Sequence, residues 1–390
     1  MKILLFFIVV ITFIFAQDGA QKAEMWKNMY KRAKNIDERI EIIKKINDSP
    51  DREAEDLISG VLTEAAIQTP PVEFIARMKW DEHTRLAMSA AAAVKSRKSC
   101  AALYTLYERI TIPEFQMFSL IALGRCSGDE YGKKLAEVLV NANASKRVNK
   151  NPDEFILYGI LDALGNLKPQ EGLKPLFYAS HLGYGQRLEI KARNALKRYT
   201  IDPVDVFIDI IVNDDDIFFK QAALNFFRKE YSANPGAGKL ARAAMQTGAY
   251  LNPKIDPAIF AKHTEFRETA ANLISQIKAK EPEIPGLLKA MWDLDRDIGP
   301  RLIVVEALKN ISTPLSSSIL VKFLQYYNKI TEEGYGVNQQ EKRLVQSLVT
   351  AIGVIGEPSA FDDINQTANG KYPGNIKEAA GEALKKIRKQ

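Results

Sequence analysis

After Gln17, apolar residues recur at three- and four-residue spacing along almost the whole chain, and that period leaves helix as the regular structure the sequence supports. Arg39–Ile46 (RIEIIKKI) and Ala54–Leu62 (AEDLISGVL) each lay their apolar side chains along one helical face. Alternating strand patterns joined by hairpin turns are absent. Clusters of Pro, Gly, Asn and Asp interrupt the pattern at short intervals, as at Asp48–Asp51, Gly124–Asp129 and Pro169–Gly172. The cadence is helix, short turn, helix.

A second periodicity lies over the first. A small–apolar–turn signature reads Ala122-Leu123-Gly124, Ala163-Leu164-Gly165 and Ala351-Ile352-Gly353. Weaker copies are Ala92-Ala93-Val94, Ala195-Leu196-Lys197, Ala271-Asn272-Leu273, Ala307-Leu308-Lys309 and Ala383-Leu384-Lys385, with a degenerate one at Ala222-Ala223-Leu224. Successive copies lie 28 to 48 residues apart, which suits a two-helix repeat with loop insertions. The residue types predict their roles. Ala lets the first helix of each pair approach its neighbour, the large apolar residue fills the shared core, and Gly ends the helix in a left-handed cap.

Asp295-Arg296-Asp297 through Arg301 to Ala307-Leu308 resembles the HEAT repeat, in which an Asp near the turn precedes an Arg and Ala-Leu follows on the same helix. Leu348–Phe361 (LVTAIGVIGEPSAF) is similar to the HEAT-like variant with a Gly-x-x-Gly-(Asp/Glu)-Pro turn, and Leu161–Gln170 is close to it. The resemblance covers about residues 85 to 389. It implies an all-α fold, an α-solenoid of stacked antiparallel helix pairs, with residues 17–84 as N-terminal capping helices and 85–389 as the repeat array. Polar stretches at Asn141–Asp153, Tyr231–Lys239, Tyr250–Pro257 and Glu332–Gln340 read as insertions between repeats. No low-complexity linker forces a domain split, so the expectation is one continuous superhelix.

The N-terminus carries an address rather than a fold. Met1-Lys2 precede the apolar run Ile3–Phe15, then Ala16, Gln17 and a polar start, the pattern of a secretory signal peptide over residues 1–16 cut between Ala16 and Gln17. The run is short of the about 20 residues that cross a bilayer. Ile14 occupies a position that prefers a small residue, which keeps an uncleaved anchor as the alternative. No cysteine follows the run, which argues against a lipoprotein, and no second span follows. The expected location is periplasmic or secreted, with no stable membrane span after signal removal.

Few residues carry reactive chemistry. His83, His181 and His263 are far apart and form no zinc-type pair, so they read as surface or helix-end residues. Asp293, Asp295 and Asp297 start like a calcium loop, but Ile298 and Val304 stand where Gly and Glu are needed, so the aspartates read as helix caps. Asp214-Asp215-Asp216 reads as a turn capping a helix from Ile217. No nucleophile elbow, phosphate loop or dinucleotide fingerprint is present, and no cofactor is implied. Lys146-Arg147, Lys150 and Lys385–Lys389 are the densest basic clusters, read as solvated or helix-ending charge. Trp26, Trp80 and Trp292 are either interface anchors or packing between repeats.

The only cysteines, Cys100 and Cys126, fall at the start of one helix and the end of the next, on one edge of the stack. An oxidising compartment allows a bridge between them; two separate buried thiols are the alternative. The net charge of +6, from 54 basic and 48 acidic residues, is too modest and too spread for a nucleic-acid protein. The sequence therefore points to a non-enzymatic scaffold holding a protein partner on a curved surface. Binding of an anionic cell-envelope polymer is the alternative. An enzyme similar to HEAT-like chromophore lyases or DNA-base glycosylases is a third reading, with no reactive constellation behind it.

Overall fold

The computed structural model describes residues 21–250 and 257–388; the expected leader, with its cut between Ala16 and Gln17, lies outside the described residues, as does most of the Tyr250–Pro257 stretch. The regular structure is helical, with no strand among the described residues. Helix α1 spans 21–32. It is followed by α2 (Ile36–Asp48), α3 (Glu55–Ile67), α4 (Phe74–Val94), α5 (Cys100–Arg109), α6 (Pro113–Arg125), α7 (Asp129–Arg147), α8 (Glu154–Leu167), α9 (Leu173–Ala179) and α10 (Gln186–Leu196). These belong to the first of two compact units, which ends at Ile201. The second unit, from Asp202, holds α11 (Val204–Asn213), α12 (Ile217–Tyr231), α13 (Ala237–Tyr250), α14 (Pro257–Ile277), α15 (Ile284–Leu294), α16 (Ile298–Ile311), α17 (Pro314–Glu332), α18 (Gln339–Ile355), α19 (Phe361–Asn369) and α20 (Gly374–Ile387). The position 84/85, where the capping helices were expected to give way to the repeats, falls inside α4.

In the first unit α2, α4, α6, α8 and α10 pack side by side in that order. Helices α3, α5, α7 and α9 lie against them, each touching the even-numbered helix that follows it. The second unit follows the same plan, with α12, α14, α16, α18 and α20 in one row and α11, α13, α15, α17 and α19 in the other. Each unit is thus built of neighbouring helix pairs.

The repeated signature maps onto this plan without exception: every copy falls on an even-numbered helix, from α4 to α20, and so on the second helix of its pair rather than the first. Its glycine does a different job from the expected cap. Gly124, Gly165 and Gly353 lie inside α6, α8 and α18, where a Cβ would come within 2.5 Å of the Ala163 Cα, 2.9 Å of the Ala195 Cβ and 2.5 Å of the Ala383 Cβ, respectively. The glycine of one repeat therefore seats on the alanine of the next, and the helices approach through their backbones. The left-handed residue comes three positions later: Ser127 (φ 59°), Lys168 (φ 54°) and Gly356 (φ 78°). The middle residues Leu123, Leu164 and Ile352 are fully buried, each a contribution of about 2–3 kcal/mol.

Two further expectations change on inspection. The polar stretch from Asn141 is helical as far as Arg147, because Asn143 turns inward and its Nδ2 donates to the Pro175 carbonyl at 2.9 Å. Asp295 is not a cap. Its carboxylate is buried against Arg267, with Nε–Oδ2 at 2.8 Å, and accepts from the Thr264 hydroxyl at 3.0 Å. Asp297 holds the N-cap position of α16 but makes no side-chain capping bond. Arg301 donates to the Asp295 carbonyl at 3.1 Å and lies over the Trp292 ring. All three tryptophans are buried, and two bridge successive repeats: Trp80 stacks on Phe115 at 5.8 Å and Trp292 on Phe323 at 3.8 Å.

The glycine contacts make a sharp contrast. Gly124→Ala and Gly353→Ala should each cost about 1–3 kcal/mol by forcing packed helices apart. Gly60→Ala, on an open face of α3 with nothing within 4 Å of the added Cβ, should stabilise by about 0.5–1 kcal/mol. Urea unfolding of the three variants measures the difference, and equal effects at all three positions would remove the close-contact explanation.

Candidate functional site

The residues singled out from sequence do not converge. Asp293 pairs with Lys289 at 2.5 Å, while Asp295 and Asp297 take the separate places already described. Asp216 caps α12 by accepting from the Phe218 N–H at 2.9 Å, and Asp214 accepts from the Asp216 N–H at 2.9 Å, as expected for a capping turn. Lys385 and Lys386 lie in the last turn of α20, where cations complement the helix end. Among the described residues no group of three or more His, Cys, Asp or Glu is placed to hold a metal ion.

Cys100 opens α5 and the Cys126 residue closes α6, side by side as the intervening turn requires. Both are free thiols and both are buried. The Cys100 Sγ faces the Cys126 carbonyl oxygen at 3.6 Å, and the Cys126 Sγ faces the Ala91 carbonyl at 3.2 Å. Burial pushes the Cys100 thiol up to about 11 and the Cys126 thiol up to about 12. Thiols held this far above neutrality are poor nucleophiles.

What the sequence did not expose is a cleft where α1, α2, α3 and α4 meet. Its cavity of about 290 Å³ is lined by Tyr30, Lys34, Arg39, Glu64, Trp80 and His83, among others. His83 is neither at the surface nor at a helix end. It sits in the middle of α4, buried, with its Nε2 2.9 Å from the Tyr30 hydroxyl. The Arg39 guanidinium lies over the Tyr30 ring at 5.2 Å. Burial, with the nearby Arg39 charge as a second cause, lowers His83 to about 4, and burial raises Tyr30 to about 12. Both groups are neutral across the physiological range, so the floor of the cleft is polar without being charged. Charge stands at the mouth instead, on Lys34, Arg39 and Glu64.

A second cavity of about 220 Å³ adjoins the first and shares Ala65, Gln68 and Trp80 with it. Arg77 and Arg109 line it. Arg77 is paired with Asp81 at 3.0 Å, and Arg109 donates to the Ala66 carbonyl near the end of α3. Around this end of the molecule stand Ile67, Val72, Phe74, Ile75 and Met78, which are 57% to 99% exposed. The missed signal was the run Ile67–Met78 itself, whose apolar residues break the helical period around Pro70-Pro71 and have no core to enter. Tyr30 and His83, 53 residues apart, offer no local pattern at all.

The fold and the cleft together define an all-helical protein of repeated helix pairs with a polar–aromatic recess near one end of its first unit. No helix among the described residues is long and apolar enough to cross a membrane. No family model matches the chain, and no curated protein matches it.

The buried histidine gives a pH test. Its folded-state value of about 4 lies below the usual 6.5, so between those limits the unfolded chain binds the extra proton. Stability is then unaffected by His83 above about pH 6.5 and falls as the pH drops toward 4. By about pH 4.5 the loss is about 2–3 kcal/mol. Urea unfolding at about pH 7 and pH 4.5 should show that much less acid sensitivity in His83→Gln than in the parent; equal sensitivity would place His83 outside the titrating set.

The thiols give another. At about pH 8 the native protein should react with a thiol reagent at neither cysteine, and the denatured, unreduced protein at both. A denatured sample without titratable thiols would show that Cys100 and Cys126 had bridged.

Proposed function

We propose that the chain is an exported, non-enzymatic scaffold that holds a protein partner, built as a HEAT-like α-solenoid within each unit. The regular fall of the signature on even-numbered helices, with a glycine seated on the next helix's alanine at three of the steps, supports the solenoid reading. In such stacks the second helices line the concave side, as the resemblance implies. The observation that carries the binding role is the exposed set Ile67, Val72, Phe74, Ile75 and Met78 beside the twin cavities. Apolar side chains clustered at one surface mark an interaction site, whereas scattered ones do not. The neutral Tyr30–His83 pair and the two poorly reactive thiols fit a recognition role better than a catalytic one.

One observation favours the polymer reading. Residues 146–201 carry ten Lys and Arg against five Asp and Glu, a local basic excess. There Arg147 lies over Tyr178 at 4.7 Å, and Arg187 and Lys191 lie over Tyr158 at 4.7 and 4.5 Å.

A photo-crosslinking residue at position 74 or 78, with position 354 as control, separates the two readings. The scaffold reading expects one discrete protein adduct at 74 and 78, formed in equal yield when cell extracts are irradiated at about 50 and at about 500 mM salt. Loss of binding over that range, with no adduct at either position, would favour the polymer.

A further inference from the structure

The charges around the cleft narrow the partner's chemistry. Four cations line the two cavities against one lining carboxylate, Glu64; of the carboxylates outside the lining, Asp81 is committed to Arg77 and Glu38 to the Lys34 backbone N–H at 2.8 Å. Among the described residues Lys34, Arg39 and Arg109 have no carboxylate partner. The surplus is positive, and it is divided between recesses on either side of Trp80. The rim between and beside them is apolar apart from the exposed Glu73.

We infer that this end of the first unit is a docking site for an acidic, apolar-rich peptide segment of the partner. The inference rests on the scaffold reading above and adds the chemistry of the bound segment. Carboxylates of that segment enter the two recesses, one toward Lys34 and Arg39 and one toward Arg109, while its apolar side chains cover Phe74, Ile75 and Met78. Each requirement excludes an alternative occupant. A basic segment meets three cations that hold no ion pair. A second copy of this chain in a two-fold pairing brings the same cations face to face. A bilayer would have to bury Glu73, which stands exposed between Val72 and Phe74, at a high desolvation cost. A small molecule would leave the exposed rim uncovered. Complementary charge at a desolvating apolar rim sets orientation and selectivity, and the rim supplies contact area.

The test is fluorescence anisotropy on the full chain with two capped, labelled peptides of identical apolar residues, one carrying Glu and one carrying Lys at the spaced polar positions. The Glu peptide should bind at least about tenfold more tightly than the Lys peptide. Lys34→Glu, at an exposed position, should weaken the Glu peptide about five- to tenfold without changing the melting temperature, and Lys34→Glu with Arg39→Glu should reverse the preference. Phe74→Asp should weaken both peptides, and Lys133→Glu on α7 neither. Equal binding of the two peptides, a preference unmoved by the double variant, or binding of anionic lipid vesicles in place of either peptide would overturn the inference. If that happens while adducts persist at positions 74 and 78, the scaffold reading stands and only the partner's chemistry is wrong. Loss of both sinks both.

Discussion

The contact on which the structure depends is the meeting of a glycine on one even-numbered helix with an alanine on the next. Neighbouring helices usually pack about 8–10 Å apart because side chains stand between them. At Gly124 on Ala163, Gly165 on Ala195 and Gly353 on Ala383 no glycine side chain intervenes, and backbone meets backbone. That closeness sets the spacing at these three steps of the rows. It also leaves the large neighbour in each signature, such as Leu123 or Leu164, to reach sideways into the layer between even and odd helices, where it is fully buried. The odd-numbered helices then have a formed surface to cover. A larger residue at the glycine would push on the row itself, whereas a change on an odd helix meets side chains that can rearrange.

Much of this plan was legible because it is written locally and repeated. The three- and four-residue period gave helices where they occur, and the signature copies gave the even row one by one. What misled was inference from position to role. A glycine near the end of an apolar run looks like a cap, yet Gly124 and Gly165 are short of the helix end and the left-handed turn is made by Ser127 and Lys168. Nothing in the triplet tells a buried contact from a cap; only the neighbouring helix does. Asn143 and Asp295 failed for the same reason. Polar residues in polar surroundings read as loop or cap, and both instead find buried partners, Pro175 32 residues away and Arg267 28 residues away.

The cleft was invisible on the same principle, carried further. Its floor joins Tyr30 of α1 to His83 of α4, with Glu64 of α3 and Arg39 of α2 beside them, so no window of sequence contains it. Two pairs of buried titratable groups are settled differently. Arg267 and Asp295 are buried as an ion pair, each answering the other's charge. Tyr30 and His83 are buried as a neutral pair, since burial outweighs the pull of Arg39 on the Tyr30 phenol and of Glu64 on the His83 ring. An ion pair of the first kind resists rearrangement, because separating it leaves an uncompensated charge. A neutral pair tolerates a nearby ligand charge, and the cations that would attract one stand above it at the mouth.

That difference bears on why exposed apolar residues and unneutralised cations occur together at one end of the first unit. A row of helices must end somewhere, and the terminal helices have faces that no further repeat covers. Charge alone is the ordinary way to finish such a face: it keeps the end soluble and blocks further stacking. Here Lys44 with Glu82 and Lys79 with Asp37 supply paired charge along the α2–α4 surface. The stretch from Ile67 to Met78 breaks that pattern, since Val72 is almost fully solvated and Phe74 largely so, while Arg109 nearby lacks a carboxylate partner. An apolar group in water and a cation without a counter-charge are separate costs to an isolated chain. One occupant that supplies both apolar surface and carboxylates relieves them together.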